Sequence, residues 1–394
     1  MSRYVTYKPS GIDWIGEVPI DWKVKRVKDF FSILGGNGFP DDEQGNETGD
    51  IPFLKVSDIN SDDYRVYSSS NYVSNETVLK KGWNVIPANS IVMGKIGEAL
   101  KKNHRKINTV DCLIDNNMMA LQPLPKVNIK FSYYLLSIVD MDWFTNPGTI
   151  PAVSTVALKS SKVTLPSPSE QLTIANYLDD QTQKIDRLIA NKKAQAEKLK
   201  ELRQIEINNA VTKGLNPNAE MKDSGIEWLG KIPKHWDVKH LKRAFKFFNN
   251  IRIPLSSEER ADLENIYDYY GASGIIDKVD RYLFDGDFIL IGEDGANLVF
   301  RSTPLAFKAS GKFWVNNHAH ILQPIKGDID YNTFMLESLD YSIYISGSAQ
   351  PKLTIEALSS MRVIVPPKDE QIEIANYLKE RTTAIDQLIK NIEA

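Results

Sequence analysis

His318 and His320 stand one residue apart, a spacing at which two imidazoles could share a metal ion. No convincing third ligand lies near them in sequence, and packed or surface histidines explain the pair. The remaining candidates for chemistry are basic. Lys95, Lys101, Lys102, His104, Arg105 and Lys106 follow Gly94 and carry only Glu98 as opposing charge. A positive hairpin arm of this kind is a good phosphate contact; a solvated charge run is the alternative. The second half of the chain offers Arg301, Lys308 and Lys312, more widely spread, and a basic cluster at Lys231, Lys234, Lys239, Lys242, Arg243 and Lys246. Phosphate contacts would supply affinity and salt dependence, whereas base-edge contacts would supply specificity.

Catalytic signatures are missing. There is no Walker A pattern for phosphate-loop ATP use. No nuclease-like acidic pair precedes a Glu-x-Lys, and Asn146-Pro147-Gly148 does not serve as the Asn-Pro-Pro-aromatic motif of an amino-methyltransferase. The expectation is a chain that is not an enzyme and holds no metal. Net charge is -3, so any nucleic-acid surface must be local and balanced elsewhere. With 42% hydrophobic and 25% charged residues the composition is globular. Cys112 is the only cysteine, which excludes an internal disulfide. The polar start and the short apolar runs, such as Phe288 to Ile291, lead to a cytoplasmic expectation with no membrane segment.

The elements that would position these residues come in two copies. Ser10 to Lys28 and Ser224 to Lys242 share ten of nineteen positions, including Trp14/Trp228, Pro19/Pro233 and Trp22/Trp236. Glu170 to Asp186 and Glu370 to Asp386 share ten of seventeen. Asn116-Asn117 answers Asn316-Asn317, Leu121-Gln122-Pro123 answers Leu322-Gln323-Pro324, and Gly148 to Leu158 answers Gly347 to Leu358. The first blocks are offset by 214 residues and the second by 200, so the interior of the second copy is shorter by 14. Similar ends around diverged middles suggest one frame carrying two reading surfaces. A duplicated fold with drifted surfaces is the plainer reading.

Each second block opens a helix. Prolines precede it, Ser169 and Asp369 stand at the expected N-caps, and acids follow. Ile174, Leu178, Ile185, Leu188, Leu199 and Leu202 alternate at three- and four-residue steps, a heptad seam that is imperfect in its middle. The helix is expected to reach Lys213, with Gly214 as its stop. Ile374, Leu378, Ile385, Leu388 and Ile392 repeat the register. The two helices are therefore expected to pair antiparallel and hold two domains apart. The second helix is shorter by about twenty residues in this sequence. Between the blocks, short β-like runs end in turns. Gly94, Gly97, Gly292 and Gly295 suit tight turns or, more sharply, a close approach to DNA. Core packing accounts for most of the aromatics around Tyr267, Tyr269, Tyr270 and Tyr282.

The doubled Ser-Gly-Ile-acid-Trp block and the doubled Glu-Gln-x-x-Ile-Ala-Asn-Tyr-Leu block, each of the latter opening a heptad helix, resemble the specificity subunits of Type I restriction–modification systems (the HsdS family). The resemblance covers essentially the whole chain. It implies an α+β protein with two related mixed α/β target-recognition domains, at 1–165 and 216–365. A central spacer helix at 166–215 and a short C-terminal one at 366–394 would separate them. It implies a bipartite, asymmetric target in double-stranded DNA, read in the major groove. Two N6-adenine methyltransferase subunits would dock on the helices, and two restriction/translocase subunits could join. S-adenosylmethionine, ATP and magnesium would belong to those partners. The shorter second helix would then be the weaker docking surface. The competing reading is a coiled-coil adaptor or inhibitor that binds methyltransferase without reading DNA.

Overall fold

The computed structural model describes residues 4–61, 63–146, 150–227, 229–261, 263–347 and 350–394. Trp228 and Gly148, used in the sequence comparison, lie outside them. The chain divides into two compact units, 1–187 and 188–394, and the boundary falls within one continuous helix, Pro168–Lys213.

In the first unit a five-stranded sheet has the order Phe31–Gly35, Met118–Pro123, Ile91–Gly94, Arg105–Asn108, Arg65–Val66. Side chains of a strand alternate between faces, so the central strand serves two cores. Ile91 and Met93 join Met119 and Leu121 beneath the helix Ile129–Ser137, which contributes Phe131, Leu135 and Leu136. Val92 faces the other way with Met118 and Ala120, against Leu54, Ile86 and Ile114.

The second unit repeats the plan with four strands: Phe245–Phe247, Ala319–Pro324, Phe288–Gly292, Ala306–Ala309. Ile289 and Ile291 pack with Leu322 against Tyr331, Met335 and Leu336 of the helix Ile329–Ser338. Leu290 and Ile321 face Phe284, Phe313 and Val315. The second sheets differ more: three strands in the first unit, Leu113–Ile114, Ile51–Leu54 and Tyr72–Val73, and four in the second, centred on Tyr267–Gly271 and Lys312–Val315.

The repeated blocks meet in space, which explains why they recur together. Lys23–Arg26 pairs with Lys162–Leu165, and Asp237–His240 pairs with Arg362–Val365. The Trp22 indole N–H donates to Glu170 Oε1 at 3.1 Å, and the Trp236 indole N–H to Glu370 Oε2 at 2.9 Å. Gln171 and Gln371 act as paired clamps. Each accepts from the N-cap amide of the sheet-covering helix (Asn128 at 2.8 Å, Asp328 at 3.0 Å) and donates to Pro166 O or Pro366 O. A buried amide side chain must satisfy both its ends, and this turn does so in both units.

A second pairing is reversed in charge. Lys130 pairs with Asp179 in the first unit; in the second, Asp330 pairs with Lys379, at the same offset of 200. Each domain helix is thereby tied to the start of its own long helix.

The long helices begin two residues earlier than expected. They start at Pro168 and Lys368, so Ser167 and Pro367 are the caps, and Ser169 and Asp369 sit in the first turn. Proline is suited to a first helical position, where its missing N–H is no loss. Gly214 ends the central helix with φ +72; a Cβ there would meet Trp236 and Glu370 at 3.2 Å.

Within the second unit the terminal helix Lys368–Glu393 runs antiparallel to the last turns of the central helix. Arg203 pairs with Asp386, Glu206 accepts from Tyr377 and Arg381, and Lys200 lies 3.5 Å from Glu393. The seam differs from the expected one. It passes through Ala196, Leu199, Arg203, Ile207, Ala210 and Val211, one residue beyond the expected register after Leu199. Leu202 is exposed as a result. The observed register uses small residues, Ala196 and Ala210, that let the helices approach. On the terminal helix Ile374, Leu378 and Ile385 are buried and Ile392 is half-buried, but Leu388 is exposed. On the central helix Ile174 and Leu178 are half-buried, whereas Ile185 and Leu188 are 55% and 57% exposed.

Candidate nucleic-acid interface

Both units carry the same clamped loop at one end of the central sheet strand. In the first, Lys95 N donates to Asn117 O, Val153 N to Lys95 O, and Gly97 N to Pro151 O, all at 2.8–2.9 Å. In the second, Glu293 N donates to His318 O and Leu353 N to Glu293 O at 2.8 Å, and Gly295 N to Pro351 O at 3.1 Å. Gly97 and Gly295 have φ of +66 and +95, which favours glycine. Gly94 and Gly292 are small for a different reason. A Cβ on Gly94 would lie 2.8 Å from the Ala99 Cβ, and one on Gly292 would lie 2.8 Å from Ala272 O. At these two positions the close approach is to the protein's own chain.

A short helix follows each loop: Gly97–Lys101 and Asn297–Phe300. Leu100 and Leu298 anchor them in the core. Asn103 and Arg301 end them in the left-handed region, with φ +55 and +49. Both point a donor at the end of the sheet-covering helix: Asn103 Nδ2 to Val139 O at 3.4 Å, Arg301 to Leu339 O at 3.2 Å. On this shared frame the outward residues differ. The first unit presents Lys101 and Lys102; the second presents Val299 and Phe300, the latter 78% exposed.

The basic run divides accordingly. Lys101 and Lys102 are exposed, with Glu98 bonded to Lys101 at 2.9 Å. Lys95 is half-buried, and exposed His104 reaches Asn60 at 3.2 Å. Arg105 and Lys106 turn inward, contrary to the expectation of an open arm. Their strand is an inner one of the sheet, between Ile91–Gly94 and Arg65–Val66, and its four residues are all buried. The Arg105 guanidinium bonds to Asn103 and Val139 O; burial draws its pKa down to about 10, with Asp140 opposing. Lys106 bonds to the carbonyls of Ser61 and Asp63.

In the second unit Arg301 is likewise committed, to Leu339 O and to Glu337. Lys308 is held between Asp287 at 3.1 Å and Asp330 at 3.2 Å. Lys312 is exposed, 4.7 Å above the Tyr282 ring. Lys242, Arg243 and Lys246 of the frame are exposed and form the more open basic stretch of this unit. No cluster of ligands that could hold a metal ion occurs among the described residues. His318 bonds to Asp294 at 2.9 Å, while His320 is fully buried.

One polar cluster escaped the sequence reading. Arg252 bonds to Glu293 at 2.5 Å; Lys352 lies 3.4 Å and His320 3.7 Å from the same carboxylate. His320 bonds to Asn249 and Leu353 O at 2.8 Å. Burial lowers the His320 pKa below its ordinary value, and Arg252 and Lys352 add to this. Burial by itself would raise the pKa of Glu293, but Arg252, His320 and Lys352 hold it below the usual carboxylate value. The equivalent position in the first unit is Met119, fully buried. Four titratable groups brought together from positions 252, 293, 320 and 352 leave no local signature in sequence.

Among the described residues no helix is long and apolar enough to cross a membrane. The model of the Type I restriction modification DNA specificity domain matches residues 19–198 and 233–394. A putative type I restriction enzyme specificity subunit of Haemophilus influenzae is 34% identical over 166 residues, 41% of this chain and 39% of that relative; the matched stretch is thus well under two thirds of its length. The EcoprrI specificity subunit of Escherichia coli is 26% identical, with 86% of this chain and 82% of the relative covered. A solved chain described under complex assembly and conformational transition of the type I R-M system shares the fold at TM-score 0.70 and 13% identity, covering 95% and 94%. The HsdS subunit from Thermoanaerobacter tengcongensis does so at TM-score 0.58 and 15% identity, covering 95% and 92%.

Proposed function

The chain belongs to the Type I restriction modification DNA specificity family, and from that premise we propose that it is the non-catalytic subunit that reads a bipartite, asymmetric DNA site. One observation carries the reading: the two units share a frame down to individual hydrogen bonds, yet present different side chains from the same loop and short helix. A protein that reads two unlike half-sites needs this separation of constant scaffold from variable surface. Lys95, Lys101, Lys102 and His104 supply phosphate contacts in the first unit, and Lys312 with Lys242, Arg243 and Lys246 in the second. Phosphate contacts set position and base contacts set sequence; the exposed Val299 and Phe300 are suited to the thymine methyl.

Methyltransferase subunits dock on the long helices, and restriction subunits join them. S-adenosylmethionine, ATP and magnesium serve those partners, and this chain supplies no group to the chemistry. The test is a long-read methylome of cells carrying a cognate methyltransferase, with and without this gene. N6-methyladenine in a split, asymmetric motif only when the gene is present is the expected outcome. Methyltransferase that co-purifies with the chain while no motif depends on it would establish the non-reading adaptor instead.

A further inference from the structure

Separate segments of the second unit meet at Glu293. Its carboxylate takes the Arg252 guanidinium at 2.5 Å and has Lys352 Nζ at 3.4 Å and His320 Nδ1 at 3.7 Å. Arg252 also donates to Ala319 O at 2.8 Å and, through Nε, to Asn249 O at 3.0 Å. Asn249 is fixed at both ends of its amide. Its Oδ1 accepts from Ile321 N at 3.0 Å, which turns Nδ2 toward His320 Nδ1 at 2.8 Å. His320 Nδ1 therefore accepts, and Nε2 carries the proton donated to Leu353 O at 2.8 Å. A neutral imidazole leaves Glu293 as a carboxylate shared by two cations, Arg252 and Lys352. The same backbone carries different side chains in the first unit. The bonds that frame Glu293 frame Lys95 there, and Met119 and Ala152 stand at the places of His320 and Lys352. The segments that meet at Glu293 also present exposed apolar residues: Ile251 and Ile253 flank Arg252, and Val299 and Phe300 follow Glu293 on the short helix.

We propose that Glu293 is a positioning residue: it holds segments 249–253 and 293–300 and the strand Lys352–Leu353 in the one arrangement that reads the second unit's half of the site, without itself touching a base. This role rests on the reading function proposed above. The backbone bonds of the shared frame fix the turn of the loop. The charge-assisted bonds to Arg252 and Lys352 fix that loop against its two neighbours. Contacts to base edges tolerate little misplacement, so the groups behind them set how well they discriminate. The first unit, with Lys95 at this place, owes its own half of the site nothing from such a carboxylate.

The full chain, assembled with its methyltransferase, is titrated into labelled duplexes and followed by anisotropy. One duplex carries the motif found in the methylome, and two others have a base pair changed in one half or the other. The unsubstituted complex should prefer the motif to both. Glu293→Gln, of the same size, should lose about tenfold of that preference at one half and none at the other. A carboxylate that only stabilised the domain would, on removal, lower the melting temperature and the affinity for all three duplexes together. Ratios left intact in that way overturn the proposal, and so does an equal loss at both halves. Arg252→Lys keeps the charge but not the planar fork. A smaller loss at the same half is expected of it, and this variant decides the matter if Glu293→Gln does not fold. An unsubstituted complex that treats the three duplexes alike removes the reading function and this role with it; a complex that reads both halves, indifferent to both substitutions, removes this role alone.

Discussion

Leu178 and Leu378 occupy the same position of the same motif, and one is half-buried while the other is sealed. The residues do not differ; their cover does. In the second unit the end of the central helix lies over the start of the terminal one, and its core draws on four sources: sheet, domain helix, terminal helix and central helix. The first unit's corresponding core has the sheet, the domain helix and the start of its long helix. A heptad position thus fixes which way a side chain points on the helix, and tertiary context decides whether that direction is the interior.

The largest expected break in this comparison comes from a charge at that position. Leu378→Asp should destabilise the second unit by about 3–5 kcal/mol, the range for an uncompensated group in a sealed core. Leu178→Asp should cost about half as much or less, because water reaches the site. Two-probe thermal unfolding of both variants checks the ratio; equal losses would mean the first unit's seam is sealed after all. Next in size are the carboxylates beneath the tryptophans. Glu370→Ala leaves the fully buried Trp236 indole without its acceptor and should cost about 1–3 kcal/mol. Glu170→Ala should cost less, since Trp22 is half-exposed. The reversed ion pairs come third. Lys130→Asp should lose roughly 0.5–1 kcal/mol, a partly exposed pair's worth, and Asp179→Lys on the same chain should restore it; an additive double mutant would mean that the two side chains are not coupled.

Acid should separate the units as well. His320 has a folded pKa below its unfolded value of ~6.5. It therefore takes up a proton on unfolding, and the unfolded state gains as pH drops. Its contribution is whole above the unfolded value and declines as pH falls toward the folded one. Glu293, also depressed, loses stability lower still, as pH falls through the carboxylate range. Hydrogen exchange at pH 7 and pH 5.5 should show the second unit's sheet loosening first, and His320→Met, copying Met119, should remove the histidine's share of that difference.

Much of the frame was legible in the sequence. The doubled blocks marked the two helices and contain the residues of the indole–carboxylate contacts, though the contacts themselves were not legible. The helix end at Gly214 was legible too, since a left-handed stop favours glycine. Directions were not. The run from Lys95 to Lys106 showed charge, but Arg105 and Lys106 are covered by carbonyls of Val139, Ser61 and Asp63, which lie more than thirty residues away in the chain. The seam slipped by one residue beyond Leu199 because alanine, a weak hydrophobic signal, is what the close helix contact uses. The shared short helix, with Lys101 and Lys102 on one copy and Val299 and Phe300 on the other, was hidden because the two copies have no sequence in common there beyond a glycine and a leucine.

The proposed pair of independent reading surfaces on one frame is tested by a chain that carries the first surface twice. Residues 27–161 would replace residues 241–361, whose ends match in the repeat, and the methylome would be read in cells supplying the methyltransferase. A split motif in which both halves bear the bases of the original first half is expected. A motif whose second half is unchanged, or one in which both halves become new, would contradict it.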